Sequence, residues 1–131
     1  MKFSATVQNS PFIHRTLLKA GDKEQTLNIP PRPNGGSSVS GGELLLLALA
    51  TCYCNDIYRE AGKRNITVEN VEVEVDCDFE AERKTATNLR YRARVKAEAS
   101  EVEVRELLKH TDTVAEFQNT LRTPTSVLLE L

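Results

Sequence analysis

Apolar and polar residues alternate with period two in two successive stretches of this chain. Val71, Val73, Val75, Cys77 and Phe79 alternate with Glu72, Glu74, Asp76, Asp78 and Glu80. Leu89, Tyr91, Ala93, Val95 and Ala97 then alternate with Arg90, Arg92, Arg94 and Lys96. Period two is the pattern of a half-buried strand. One strand wears an acidic face and the next a basic one. Antiparallel pairing across a polar loop, Ala81 to Asn88, sets opposite charges against each other, each pair worth about 0.2–1 kcal/mol. The apolar faces of the two strands then coincide and are placed to cover a helix.

That helix is predicted over Ser40 to Asn65, SGGELLLLALATCYCNDIYREAGKRN. Ser40 and Glu43 have the spacing of a capping box, in which each side chain satisfies a backbone N–H of the other residue. Leu44 to Ala50 is apolar all round, which predicts a segment buried on every side. After Cys54 the residues Asn55, Asp56, Arg59 and Glu60 predict a helix emerging toward water. Gly62 is the expected left-handed C-cap, with Lys63 and Arg64 at the negative end of the dipole.

The flanking segments are shorter. Phe3, Ala5 and Val7 alternate with polar neighbours and predict a first strand; Phe12 to Leu18 reads as a second and Gln25 to Ile29 as a third. Pro30 to Ser38, PPRPNGGSS, holds no regular structure and delivers the chain to the helix. Ser100 with Glu103 is a second capping box, opening a helix through Val104, Leu107 and Leu108. Thr111-Asp112-Thr113 is expected to interrupt it, and Thr113 with Glu116 to cap a short helix through Phe117 and Leu121. Thr123-Pro124 ends that helix, and Ser126 to Leu131 closes the chain as a strand. The order βββ-α-ββ-αα-β predicts an α+β fold, antiparallel sheet wrapped on a long, central, buried helix, in a single domain over residues 1–131.

Composition narrows the function classes. Lys and Arg number 17 against 19 acidic residues, a formal charge of −2, so no bulk field favours nucleic acid or an anionic membrane. A basic face at Arg90, Arg92 and Arg94 could attract RNA, but the acidic neighbouring strand neutralises it. The start has no apolar signal core, and the LLLLALA run is far shorter than the roughly 20 residues that span a bilayer. A soluble, cytoplasmic protein without nucleic-acid or membrane partners is expected. Three cysteines, an odd count, fit a reducing compartment better than a disulfide framework. Two distant histidines, His14 and His110, with no evident partners, and the Cys52-x-Cys54 spacing do not suit structural zinc. Neither a metal nor a cofactor is expected.

GGELLLLALATC, the helix end AGKRN and the strand NVEVEVDCDFE together resemble the OsmC and organic-hydroperoxide-resistance (Ohr) family. The preceding NIPPRPNGG loop resembles the family's approach to this helix, and NTLR at Asn119 to Arg122 its C-terminal signature. The resemblance implies an intertwined homodimer with sites at the interface. In the peroxidase members a helix cysteine attacks a peroxide, becomes a sulfenic acid and is resolved by a second cysteine, which an external dithiol reduces. An arginine and a glutamate hold the thiolate and position the peroxide. Carried onto this chain, the peroxidatic cysteine is Cys52, the arginine is Arg15 on the N-terminal meander, and the glutamate is Glu43. Ala115 stands where the peroxidases carry the resolving cysteine, and Gly42 where they carry their glutamate; Glu43 matches the broader OsmC-like subgroup.

A nucleophilic cysteine needs its thiolate, and burial in an apolar helix opposes ionisation unless a cation is near. Arg15 or Arg122 could be that cation. Cys54 is a poor resolver for Cys52, because residues two apart on a helix of 3.6 residues per turn lie about 200° apart and a disulfide needs converging Cβ atoms. Cys77 lies on the apolar strand face. Two functions follow: thiol-dependent reduction of organic hydroperoxides at Cys52 with an external thiol as resolver, or a non-catalytic dimer binding a small apolar or electrophilic ligand at the same interface.

Overall fold

A computed structural model describes residues 1–80, 82, 84–123 and 125–131. The chain divides into two compact units, Met1–Leu44 and Leu45–Leu131. Antiparallel sheets and one long helix make it a mixed α+β fold.

The first unit carries β1 (Phe3–Ser10), β2 (Ile13–Ala20) and β3 (Lys23–Gln25), an antiparallel sheet in the order β1-β2-β3. Phe12, expected in the second strand, sits in the turn instead, at φ 68°. Gly21, at φ 58°, turns β2 into β3. The third strand is shorter than the expected Gln25 to Ile29. The Thr16 hydroxyl donates to the Leu27 carbonyl (2.7 Å) and accepts from its N–H (2.9 Å). A side chain thus satisfies the groups that a ladder would otherwise use. The Pro30 to Ser38 loop is irregular as expected and is held from β1. The Asn9 amide donates to the Gly36 carbonyl (3.0 Å) and its oxygen accepts from the Gly36 N–H (2.8 Å).

The long helix α1 spans Gly41–Lys63. Its capping box forms as read: the Glu43 N–H donates to Ser40 Oγ (3.1 Å), and Glu43 Oε2 accepts from the Ser40 N–H (2.7 Å). Its C-terminus differs from the expectation. Gly62 remains helical and Asn65 takes the left-handed conformation, φ 56°. The Ile66 N–H donates to the Ala61 carbonyl (3.0 Å) and the Asn65 N–H to that of Gly62 (3.3 Å), the paired bonds of a Schellman motif. Asparagine tolerates this conformation better than most residues, and Ile66 packs onto the core beside Ala61.

Two expectations for α1 are corrected. Within the single chain the LLLLALA segment is not buried on every side: Leu49 is enclosed, but Leu45 and Leu47 are 43% and 55% exposed. A helix packed on one side within its chain leaves its opposite side open, whatever that side's residues. Conversely, the polar half does not simply emerge into water, since Asp56 and Glu60 are buried.

In the second unit, β4 (Val68–Glu80) and β5 (Thr85–Ala97) form an antiparallel hairpin in the expected register. Val71 faces Val95, Val73 faces Ala93 and Val75 faces Tyr91, while Glu72, Glu74 and Asp76 face Arg94, Arg92 and Arg90. Ion pairs join Arg90 to Asp76 (2.7 Å) and Arg92 to Glu74 (2.7 Å) and Asp76 (2.9 Å). The alternation fails beyond Asp76, where a register shift leaves Cys77 without a facing partner and Phe79 exposed. Strand β5 already begins inside the expected Ala81 to Asn88 loop, of which Ala81 and Arg83 lie outside the described residues.

Helix α2 (Glu101–Val114) opens on the expected capping box of Ser100 and Glu103. It runs through Thr111-Asp112-Thr113, because the Thr111 hydroxyl turns back onto the Leu107 carbonyl (2.7 Å) rather than competing for a cap. Helix α3 (Glu116–Arg122) follows one residue later, with Ala115 at its N-cap and no side-chain cap bond. Thr113 instead donates to the His110 carbonyl (2.6 Å). Pro124 lies outside the described residues. Ser126 to Leu131 is not a strand: among the described residues no ladder partner pairs with it, and Val127, Leu128, Leu129 and Leu131 are exposed. The apolar β pattern is present, but a strand exists only when another strand satisfies its backbone.

The core of this unit joins Tyr53, Ile57 and Ala61 of α1 to Leu107 and Ala115, with Val68, Val71, Val73, Tyr91, Ala93 and Val95 of the hairpin packed against them. The Tyr53 and Tyr91 rings meet edge-on, centroids 4.7 Å apart. The Tyr53 hydroxyl donates to the Leu108 carbonyl (2.8 Å). Among the described residues, no helix is long and apolar enough to cross a membrane.

Candidate functional site

Cys52 lies midway along α1, half-buried. Its thiol donates to Asp56 Oδ2, 3.5 Å away and one helical turn on. Burial pushes the Cys52 thiol pKa up; the backbone N–H of Phe117, in the first turn of α3, pulls the other way, and the negative charges of Asp56 and Glu116 reinforce the rise. The buried carboxylate of Asp56 is itself held by Arg59 Nη1 at 2.9 Å. Arg59 Nε also binds Glu60 (2.9 Å), and Nη1 approaches Glu116 of α3 (3.8 Å). Arg59 thus stands one carboxylate removed from the sulfur.

Glu60 anchors the other end. Only 3% exposed, it accepts from Arg59, from Lys63 Nζ at 2.9 Å and from His110 Nε2 of α2 at 2.7 Å. Hydrogen bonds from Arg59, Lys63 and His110, in that order of weight, hold its carboxyl down at about 2. His110, expected to lack a partner, therefore ties α2 to α1. A continuous polar chain runs His110, Glu60, Arg59, Asp56, Cys52. Behind it, the Gln118 amide of α3 donates to the Leu49 carbonyl (2.9 Å), and Ala115 is fully buried in the core.

Arg122 is engaged elsewhere: its guanidinium binds the Asp112 carboxylate (2.6 Å) and the Asn119 side chain (3.0 Å). For Asp112, burial pushes upward, but the hydrogen bonds of Arg122 and Tyr91 outweigh it and hold the carboxyl low. Cys54 lines a shallow cleft of about 240 Å³ with Ala50, Thr51, Asn55 and Val73. Cys52, Cys54 and Cys77 are all free thiols. Two predicted site residues belong to the first unit. Arg15 is an exposed residue of β2, facing Gln8 across the ladder. Glu43 closes the capping box, where hydrogen bonds from the Ser40 N–H and hydroxyl keep its carboxyl below the usual range, with Arg32 adding a smaller pull. His14, also in β2, pairs with the Asn9 amide (2.9 Å). Among the described residues, no group of three or more His, Cys, Asp and Glu side chains is arranged to hold a metal ion.

The OsmC-like protein family profile matches residues 34–130. The chain belongs to the OsmC-like family. Solved structures carry the same fold. The OsmC-like protein from Mycoplasma pneumoniae superposes with a TM-score of 0.69 at 16% identity, covering 93% of this chain and 88% of its own. An organic hydroperoxide resistance protein OsmC from Legionella pneumophila gives 0.62 at 18% identity, covering 93% and 90%. The organic hydroperoxide resistance protein OhrB of Bacillus subtilis gives 0.52 at 11% identity, covering 93% and 91%. No curated protein sequence matches significantly.

Sequence reading singled out Cys52 on this OsmC-like helix but missed Asp56, Arg59, Glu60, Glu116 and His110. A partial signal existed in the i, i+3 and i, i+4 spacings among Cys52, Asp56, Arg59, Glu60 and Lys63, which place them on neighbouring turns. Nothing local marks Glu116 or His110, because both arrive on other helices.

Proposed function

We propose that this OsmC-like protein reduces organic hydroperoxides through Cys52, with an external thiol as resolver. The observation that carries the reading is Cys52 itself, a half-buried free thiol midway along the helix that bears the family's motif. The Cys52 sulfur, having given up its proton, attacks the distal peroxide oxygen. The O–O bond breaks, an alcohol leaves with one proton, and Cys52 becomes a sulfenic acid. One external thiol condenses with it, releasing water and forming a mixed disulfide; a second thiol displaces Cys52 and leaves as the external disulfide. Alanine at position 115 is the reason for assigning the resolving role to an outside thiol. In this reading Arg15 supplies the cation that favours the thiolate and Glu43 helps position the peroxide. A homodimer covers the apolar positions Leu45 and Leu47 and gives the Ser126 to Leu131 segment a strand to pair with; their exposure supports that assembly. Mixing reduced protein with cumene hydroperoxide should consume the Cys52 thiol within minutes, seen as a sulfenic adduct by mass spectrometry and absent in Cys52→Ser. An unchanged Cys52 thiol would sink the proposal.

Alanine at position 115 and the Cys52 thiol hydrogen-bonded to Asp56 (3.5 Å) support a second reading, a non-catalytic dimer binding a small apolar or electrophilic ligand. Cumyl alcohol, an unreactive probe of the same shape, should then stabilise wild type and Cys52→Ser equally against heat. Loss of that stabilisation in the variant returns the function to thiol chemistry.

A further inference from the structure

The polar chain beside Cys52 is costly to assemble for structure alone. It places two acidic side chains, Asp56 and Glu60, in the interior of the second unit, both buried, and reaches His110 on another helix (2.7 Å). Buried carboxylates persist only where partners compensate their desolvation, and here Arg59, Lys63 and His110 do so for Glu60. The end of the chain that points at chemistry is Asp56, whose Oδ1 is taken by Arg59 (2.9 Å) and whose Oδ2 receives the Cys52 thiol (3.5 Å).

We propose that Asp56, braced by Arg59, is a positioning residue for Cys52 that pins its S–H and holds the sulfur in a resting, hydrogen-bonded state. The inference rests on Cys52 being the reactive thiol of the proposed function. A carboxylate one turn away opposes formation of a second negative charge on the sulfur, and its hydrogen bond favours the protonated form. Arg59 moderates the effect, because its guanidinium offsets the charge of Asp56 and, at 3.8 Å, that of Glu116. The groups facing Cys52 are thus Asp56 of α1 and Glu116 and the Phe117 N–H of α3. Arg59 stands behind the carboxylates, itself oriented by Glu60, which Lys63 and His110 hold in turn. Activation then consists of outweighing Asp56, by a cation brought to the sulfur or by a ligand that displaces the S–H···Oδ2 contact.

The test is the pH profile of Cys52 alkylation by iodoacetamide in a Cys54→Ser, Cys77→Ser background. Asp56→Asn should move the profile to lower pH, raising the thiolate fraction at neutral pH about tenfold. Intrinsic nucleophilicity falls with thiol pKa, so the rate should rise by about threefold. Arg59→Gln should move the profile the opposite way, and Arg59→Lys should restore it. Glu116→Gln, at an exposed position, should shift it downward by less than Asp56→Asn and decides the matter with the Arg59 variants if Asp56→Asn does not fold. A purely structural role for Asp56 and Arg59 would leave the profile in place, and an unchanged or upward shift in Asp56→Asn, or an unchanged or downward shift in Arg59→Gln, overturns the proposal. Peroxide consumption in the same background separates the two claims. Shifted profiles without peroxide reaction remove the peroxidase reading and leave the Asp56 coupling standing. Peroxide reaction with unmoved profiles does the reverse.

Discussion

Leu107→Ala tests the packing that brings α2 and its His110 to the candidate site. Leu107 is fully enclosed in the cluster of Tyr53, Ile57, Ala61 and Ala115. The substitution removes three carbons, a transfer loss of about 2.4 kcal/mol at about 0.8 kcal/mol each. Helices α1 and α2, Ala115 and the hairpin all converge here, so the site can collapse only partly; a residual cavity of roughly 50 Å³ adds about 1.2 kcal/mol. The expected loss is about 3.6 kcal/mol. With an unfolding entropy of about 2.1 cal/mol/K per residue over 131 residues, Tm should fall by about 13 °C. Differential scanning calorimetry at fixed protein concentration measures this, the concentration being held because a dimer would make Tm depend on it. Val102→Ala, an exposed position on the same helix, is the control and should stay within about 0.5 kcal/mol. A fall of less than about 4 °C for Leu107→Ala, or an equal fall for Val102→Ala, would refute the assignment of this cluster as the core.

Two further outcomes follow from the same structure. Glu60 titrates near 2 when folded, against an ordinary value of 4.5. A depressed carboxyl contributes stability that is complete above its unfolded pKa and lost as pH falls through the folded one, so wild type should lose stability between about pH 4.5 and 2 more steeply than Glu60→Gln in acid titrations followed by circular dichroism. Ser100→Ala removes the bond from the Glu103 N–H to Ser100 Oγ (3.1 Å) and should cost about 1 kcal/mol in denaturant melts.

The parts of the fold that were legible in advance rest on interactions between residues close in sequence or on strict periodicity. Both capping boxes formed because Ser40 with Glu43 and Ser100 with Glu103 need only their own helix turn. The β4–β5 register followed from period-two alternation joined to complementary charge. Where the reading failed, a distant partner intervened or was missing: Thr16 replaced the end of the third strand, and among the described residues no strand met Ser126 to Leu131.

For the candidate site the division is sharper. By itself the sequence determined that a free thiol stands at mid-helix, that carboxylates and an arginine follow it at helical spacing, and that family resemblance selects Cys52. Only the tertiary structure decided that Asp56 and Glu60 face inward, that α3 brings Glu116 and the Phe117 N–H to the sulfur, and that His110 closes on Glu60 from α2. The reason is physical. Helical periodicity sets which side chains share a face, but which face is covered, and by what charge, depends on segments distant in sequence, His110 lying fifty residues beyond Glu60. A thiol's reactivity follows that covering charge and not the helix that carries it.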